Sequence, residues 1–483
     1  ASGRCSTRCN RASGDKAVTA TYDLIAIGAG PAGESATELA SLFGLRCAIV
    51  EKNLPGGTVT TTGGAPTKTL REAALFVSGF RDGDTYGLRM TAPPEVAMDL
   101  IRTRTWSVCS QLQELTKRNI LARNVDYIEG EAHFDRDHTI SVSRDGRAVA
   151  TLQAKVVLVA TGSRPQRPKG SAFQLPGVFD TDTILYRERG APKAIVIVGG
   201  GPVGVEFATI CRALGAAVMI VDRGERLATV MDGEVSARIE EFFREWGVDL
   251  KFGCTVEDVA ASGDALDVRL STQEHVGADT VLIAAGRVAN TEGLGLELAG
   301  VRVDARGRIE VGGNFQTSAD GIFAAGDVLR PTLASIAMEQ GRAAICSAFG
   351  IPFEGNVDPT PVSAIYGMPE LSGAGLTEEA CREKGLSYEV GRADLALTPR
   401  GAIAGHGGLL KLIFQKEDRK LLGIHCIGEI ASEIVGIGQM AIRCGATLNT
   451  LATMSFNTPT YSYAYKYAAL DGLRRLAARG DQR

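Results

Sequence analysis

Two stretches of this chain repeat one chemistry-bearing pattern. After the apolar run LIAIG come Gly28, Gly30 and Gly33, with Pro31 and Ala32 between them, and the run CAIVE then ends on Glu51. After AIVIVG come Gly199, Gly201 and Gly204, with Pro202 and Val203 between them, and VMIVD ends on Asp222, followed by Arg223. A G-x-G-x-x-G turn between strand and helix lets the backbone approach a pyrophosphate seated on the helix N-terminus. An acid roughly 20 residues on, at the end of the next strand, can accept hydrogen bonds from a ribose. One such pattern is a weak signal. Two at equal spacing, each with strand, helix and acid, predict an internal duplication and two dinucleotides.

The elements that must position these residues follow from composition and punctuation. With 483 residues the chain predicts about three domains. Hydrophobic content of 45% and charged content of 22% are those of a globular protein. A net charge of −4 gives no sign of a nucleic-acid surface, so no nucleic-acid partner is expected, and no apolar run reaches the ~18 residues of a membrane helix. The ten cysteines show no zinc spacing, so no metal is expected. Most lie in apolar runs such as LRCAIV around Cys47, which fits core thiols in a reducing, cytoplasmic setting. Residues 1–20 are basic and lack apolar periodicity, which predicts a disordered segment, with an organellar targeting peptide as the alternative. VVLVATGSRP from Val156 and VLIAAGRVANT from Val281 each read as a strand ending in a glycine turn, where the chain crosses between domains. Beyond ~350 the glycine pattern stops. Leu409-LKLIF and Leu421-LGIHCIG read as antiparallel strands turning at Lys416-EDR, with helices around Glu433 and from the Tyr461–Tyr467 tyrosines onward.

The stretch Gly56–Leu70, GGTVTTTGGAPTKTL, resembles the active-site segment of the flavin-dependent pyridine nucleotide-disulfide oxidoreductases. Further matches are FAAGD ending on Asp327, Pro331-Thr-Leu-Ala-Ser, Gln340-Gly-Arg342, Ile424-His-Cys-Ile-Gly-Glu429 and Phe456-Asn-Thr-Pro459. Within that family the chain resembles the soluble transhydrogenase branch. The resemblance implies an α/β chain with two nested Rossmann-like dinucleotide-binding domains, for FAD and NAD(P), plus a C-terminal α+β dimerisation domain. Its divisions fall at 21–170 (FAD domain, first part), 171–285 (NAD(P) domain), 286–350 (FAD domain, return), 351–476 (dimerisation) and 477–483 (tail). A homodimer or higher homo-oligomer is implied.

The resemblance places Gly28, Gly30, Pro31, Ala32, Gly33, Glu51, Lys52, Gly57, Thr58, Lys68, Ala132, Thr161, Gly162, Ser163, Asp327 and Ala334 on FAD. It places Gly199, Gly201, Pro202, Val203, Gly204, Glu206, Asp222, Arg223 and Gly286 on NAD(P). Lys68 matches the family lysine beside flavin N5, and Glu206 its ion-pair partner near the nicotinamide; these two are the expected catalytic residues. One departure stands out. The two redox cysteines of the family fall on Val59 and Gly64, and the His and Glu of its proton-transfer dyad on Thr458 and Tyr463. Thiol chemistry needs a nucleophile and a proton shuttle together, so disulfide reduction is excluded. What remains is hydride transfer from NAD(P)H through FAD to a second nicotinamide nucleotide. The alternatives are an NAD(P)H dehydrogenase using a quinone or other small oxidant, and a non-catalytic flavin- and nucleotide-binding protein.

Overall fold

A computed structural model describes residues 18–78, 94–136, 138–168, 170–188, 190–352, 357 and 360–478. Strand β1 (Val18–Ile27) leads into helix α1 (Pro31–Leu42) and strand β2 (Cys47–Glu51). Helices α2 (Thr58–Thr61), α3 (Ala65–Ser78) and α4 (Pro94–Ala122) follow. Then come β3 (Asp126–Glu129), β4 (Glu131–Arg136), β5 (Thr139–Arg144) and β6 (Arg147–Val159). These strands form one sheet in the order β3-β2-β1-β6-β5-β4. β1 is parallel to both β2 and β6, while β4, β5 and β6 are antiparallel.

The apolar runs of β1 and β6 are continuous because the sheet is covered on both faces. Ile25, Ile27, Val157 and Val159 enter one core, and Leu24, Ala26, Val156 and Leu158 the other. On that second face α1 offers Ala32, Ala36 and Ala40. Small residues let a later helix press close: a Cβ on Gly341 would lie 2.3 Å from the Ala32 carbonyl oxygen.

Strand β7 (Ser163–Pro165) crosses out of this sheet to β8 (Val178–Asp180) and β9 (Ala194–Val198). Helix α5 (Pro202–Ala213), β10 (Ala217–Asp222), α6 (Gly233–Glu245) and β11 (Val248–Phe252) complete a second unit of the same kind. An antiparallel meander, β12 (Val256–Ser262), β13 (Ala265–Leu270) and β14 (His275–Ala278), precedes β15 (Thr280–Ile283). The second sheet is parallel throughout, in the order β11-β10-β9-β15-β8. β16 (Arg287–Ala289) pairs with β7, and β17 (Ile322–Ala324) lies parallel to β6, so the chain returns to its first sheet before α7 (Ala334–Phe349).

The last unit has β18 (Val362–Ile365), β19 (Glu370–Gly375), α8 (Glu378–Glu383), β20 (Tyr388–Asp394) and α9 (Pro399–Ala404). It continues with β21 (Leu409–Gln415), β22 (Leu421–Gly428), α10 (Ala431–Arg443), α11 (Leu448–Thr453) and α12 (Ala464–Ala478). Its antiparallel sheet runs β18-β19-β22-β21-β20. The expected β21–β22 hairpin is present, and a 3-10 turn at Tyr461–Tyr463 starts the α12 helix as the sequence predicts.

Lys411 of β21 is wholly buried against this second unit. It pairs with Asp232 at 2.7 Å, with Glu234 at 3.1 Å and with Glu378. Burial alone would lower the Lys411 ammonium pKa, but the hydrogen bonds to Asp232 and Glu378 outweigh it and hold the group above its ordinary value.

One expectation needs correction. Order starts before residue 21, because Val18–Ala20 extend β1 and pair with Ala150–Leu152. A strand with a free edge position beside β6 gains ladder hydrogen bonds that apolar patterning does not report. Residues 1–17, with Cys5 and Cys9, and the end of the tail beyond Ala478 lie outside the described residues. Among those described, no helix is long and apolar enough to cross a membrane.

Candidate functional site

The two glycine patterns fold alike. Gly28 has φ +110° and Gly199 φ +114°, a region that favours glycine, and a Cβ on either would lie 2.4–2.5 Å from a carbonyl oxygen of the neighbouring strand end, Ala160 or Ala284. The third glycine seats the helix on the turn. A Cβ on Gly33 would be 2.0 Å from the Gly28 oxygen, and one on Gly204 1.9 Å from the Gly199 oxygen. The second glycines are less crowded: a Cβ on Gly201 would meet nothing within 4 Å, and one on Gly30 would only touch Gly57 Cα at 3.9 Å. They are the N-caps of α1 and α5; neither end has a side-chain cap, and each helix starts on a proline. The first-turn amides therefore look into the space that the second glycine leaves open, an arrangement suited to an anion.

The acids repeat as well. The Ala29 N–H donates to Glu51 Oε2 and the Asn53 N–H to Glu51 Oε1, both at 2.7 Å. The Gly200 N–H donates to Asp222 Oδ2 and the Gly224 N–H to Asp222 Oδ1, both at 2.6 Å. In each copy one donor is 22 residues upstream and the other 2 downstream. Each carboxylate is thus aimed by backbone amides, with lone pairs left for a ribose.

One cavity of about 2790 Å³ runs past both loops. Of the residues expected on FAD, all but Gly33 line it, and of those expected on NAD(P), all but Gly204. Those two exceptions act from behind the wall, through the close helix packing just described. Asp327 accepts from Ser163 Oγ at 2.7 Å and from the Thr332 N–H at 2.9 Å. Arg287 donates to both Ser163 Oγ and the Ser163 carbonyl at 2.8 Å, which locks the β7–β16 crossover beneath Thr161 and Gly162. Lys52 reaches across to Glu131 at 3.4 Å on the surface.

Lys68 and Glu206 meet on the wall. Lys68 comes from the first turn of α3 and Glu206 from α5, and Lys68 Nζ donates to both Glu206 oxygens at 3.0 and 2.9 Å. Glu206 is 8% exposed and Lys68 33%. A nearly buried carboxylate needs more than one partner, and the Tyr366 N–H supplies a further hydrogen bond at 3.0 Å.

Val59 and Gly64 also line the cavity, back to back: a Cβ on Gly64 would lie 2.7 Å from Val59 Cα. No thiol stands at either place. Sequence reading missed Cys109 on α4 and Cys254 after β11, which long-range folding brings to the same wall, together with Trp106 and Gln113. Both cysteines are buried, and burial pushes both thiols above their ordinary value, away from reactive thiolate. Cys47 sits in the first core as expected, pushed by burial to about 12. Cys444, at the end of α10, is exposed.

Residues 22–341 match the family model for pyridine nucleotide-disulphide oxidoreductases, and residues 362–469 match the dimerisation domain of the same proteins. The chain belongs to this family. Its members are flavin-dependent oxidoreductases that bind FAD and NAD(P)H, and the pyridine nucleotide-disulphide oxidoreductase described here is such an enzyme. It is 38% identical to a soluble pyridine nucleotide transhydrogenase of Mycobacterium bovis, over 95% of this chain and 98% of that one. Its fold is similar to LpdA of Mycobacterium tuberculosis, with a TM-score of 0.85 and 25% identity over 94% of this chain and 99% of the other. It is also similar to the HOCl-induced flavoprotein disulfide reductase RclA of Escherichia coli, with a TM-score of 0.83 and 26% identity over 93% and 99%. The residues of this oxidoreductase fit the two cofactors: uncrowded backbone at Gly30 and Gly201, helix starts beside them without a side-chain cap, and an acid aimed at each loop.

Proposed function

We propose that the chain is a transhydrogenase-like flavoenzyme that carries hydride from one nicotinamide nucleotide to another with no dithiol in the path. The observation that carries this reading is the intact Lys68–Glu206 pair on a cavity shared by both glycine loops, where Val59 and Gly64 offer no thiol. The name of the mycobacterial relative, a soluble pyridine nucleotide transhydrogenase, supports the same reading.

Residues 21–170 and 286–350 hold FAD, residues 171–285 the nucleotide, and residues 351–476 the subunit contact of a homodimer. Bound along the first loop, FAD supplies reversible two-electron hydride chemistry. The α1 N-terminus and Gly28–Gly33 hold its pyrophosphate, Glu51 its ribose and Asp327 its ribityl chain. Lys52, Gly57, Thr58, Ala132, Thr161, Gly162, Ser163 and Ala334 complete the wall. Lys68 places a cation where negative charge develops on reduction, and Glu206 keeps that cation in place. The nucleotide lies on Gly199–Gly204, with Gly286 at its edge. One such loop must serve donor and acceptor in turn, so turnover is ping-pong.

Asp222 sets the nucleotide preference. Its carboxylate accepts from a 2′-hydroxyl and repels a 2′-phosphate. Arg223 is exposed beside it, whereas Arg226 is engaged with Glu379 at 3.5 Å. NAD(H) is therefore expected to bind more tightly than NADP(H), by a modest factor. Kd values for both nucleotides check this, and a strong NADPH preference that persists in Asp222→Ala would refute it.

A second reading draws on the stacked Trp106 and Tyr186, with centroids 4.9 Å apart on the cavity wall. Such a face suits a planar oxidant, and would make the enzyme an NAD(P)H dehydrogenase using a quinone. Steady-state turnover with NADPH and thio-NAD⁺, set beside NADPH and a quinone, separates the two. The proposal expects the nucleotide acceptor to be the faster. Quinone reduction without thio-NAD⁺ reduction would replace it with the second reading.

A further inference from the structure

We propose that Tyr366, just past the end of β18, is a positioning residue for the Lys68–Glu206 pair, so that the C-terminal unit sets the charge beside the hydride site. This rests on the role given to that pair above. Three observations converge on Tyr366. Its N–H donates to Glu206 Oε1 at 3.0 Å. Its ring lies under the Lys68 ammonium, 4.7 Å from the centroid. Tyr366 lines the same cavity as Lys68 and Glu206.

The residues that follow hold the same helix a second time. Arg71, one turn on from Lys68 in α3, donates from Nε to the Gly367 carbonyl at 2.9 Å and pairs with Glu370 at 3.1 Å. Glu370 is braced in turn by the N–H and hydroxyl of Ser432, at 3.0 and 2.7 Å. The stretch Tyr366–Glu370 thus clamps α3 at Lys68 and again at Arg71.

The ring has a distinct task. Lys68 spends its hydrogen bonds on the two Glu206 oxygens and on Thr67 Oγ1 at 3.3 Å. Its stem is flexible and one third exposed, so water competes for the ammonium. An aromatic face beneath the charge opposes that drift without using a hydrogen bond. Burial, with Glu370 and Glu206 nearby, raises the Tyr366 hydroxyl above its ordinary value and keeps the ring neutral.

Substitution can separate ring from backbone. Tyr366→Leu and Tyr366→Met remove the aromatic face and keep the N–H; Tyr366→Phe keeps both. FAD-loaded protein is mixed anaerobically with NADH in a stopped-flow instrument, and the flavin midpoint potential is measured for each variant. The Leu and Met variants are expected to be reduced about three- to tenfold more slowly, as a cation–π contact allows, with a more negative potential. The Phe variant is expected to retain most of the wild-type rate and potential. Added to Lys68→Met, Tyr366→Leu is expected to cause no further slowing, because its effect passes through Lys68. Wild-type rate and potential in the Leu and Met variants, beside a slow Lys68→Met, would overturn this inference and leave the pair's role standing. A Phe variant as slow as the Leu variant would overturn it too, by assigning the effect to the hydroxyl. A wild-type rate in Lys68→Met would instead remove the reading of the pair itself.

Discussion

Replacing Lys68 by Met is expected to slow reduction of the bound flavin by NADH about 10²-fold or more, while FAD stays bound. The magnitude is that of removing one preorganised group aimed at developing charge. Lys68 Nζ is the direct cationic partner of Glu206, and no other ion-pair partner of that carboxylate occurs among the described residues. Met matches the length of the stem and fills the space. Glu206→Gln is expected to act in the same direction and more weakly, since it keeps a hydrogen-bond acceptor for Lys68 and for the Tyr366 N–H. Glu206 itself is left nearly buried without its cation in Lys68→Met, a costly state. Lys68 is one third exposed, so water relieves part of that cost and the variant should still fold. Stopped-flow reduction at the wild-type rate in both variants would return the two residues to a purely structural role.

The second large effect comes from the third glycines. Gly33→Ala is expected to yield protein that does not retain FAD, and Gly204→Ala protein that retains FAD but is no longer reduced at low NADH concentrations. A methyl group on Gly33 meets the Gly28 carbonyl oxygen at 2.0 Å, and one on Gly204 meets the Gly199 oxygen at 1.9 Å. Both obstacles are backbone, so the helix must lift from the turn. Lifting α1 or α5 displaces the first-turn amides by a large fraction of a hydrogen-bond length. The two loops belong to different sheets, so the defects should be separable. Flavin content and the NADH concentration giving half-maximal reduction check this. FAD-replete Gly33→Ala, or Gly204→Ala with unchanged NADH dependence, would show that the loops do not hold the ligands assigned to them.

The parts of the site that were legible in the sequence are those built from local rules. A tight turn needs glycine at a fixed offset, and a strand-end acid is placed by strand length, so Gly28–Gly33 with Glu51 and Gly199–Gly204 with Asp222 could be read directly. The crossover glycines Gly162 and Gly286, with φ +70° and +117°, announced the passage between sheets for the same reason. Lys68 and Glu206 were legible through resemblance alone, because 138 residues separate them. Tyr366 was not legible at all. Its contribution begins with a backbone N–H, which every residue except proline carries, and its sequence distance from Glu206 is 160. Arg71 and Glu370 share that difficulty, as do Cys109 and Cys254, which join the cavity wall only through tertiary packing. The start of β1 at Val18 was hidden for a further reason: ladder pairing with β6 can recruit residues of any polarity.

Anaerobic titration of the flavin with NADH tests the dithiol-free claim most directly. Val59 and Gly64 carry no thiol, and burial holds Cys109 and Cys254 above the ordinary thiol range. Full reduction is therefore expected at one NADH per FAD, without a long-wavelength thiolate–flavin band, and with no loss of activity when a small thiol reagent modifies the folded enzyme. Uptake of two NADH equivalents per flavin, or inactivation by the reagent, would mean that a cysteine pair elsewhere on the wall stores electrons, and would contradict direct hydride transfer.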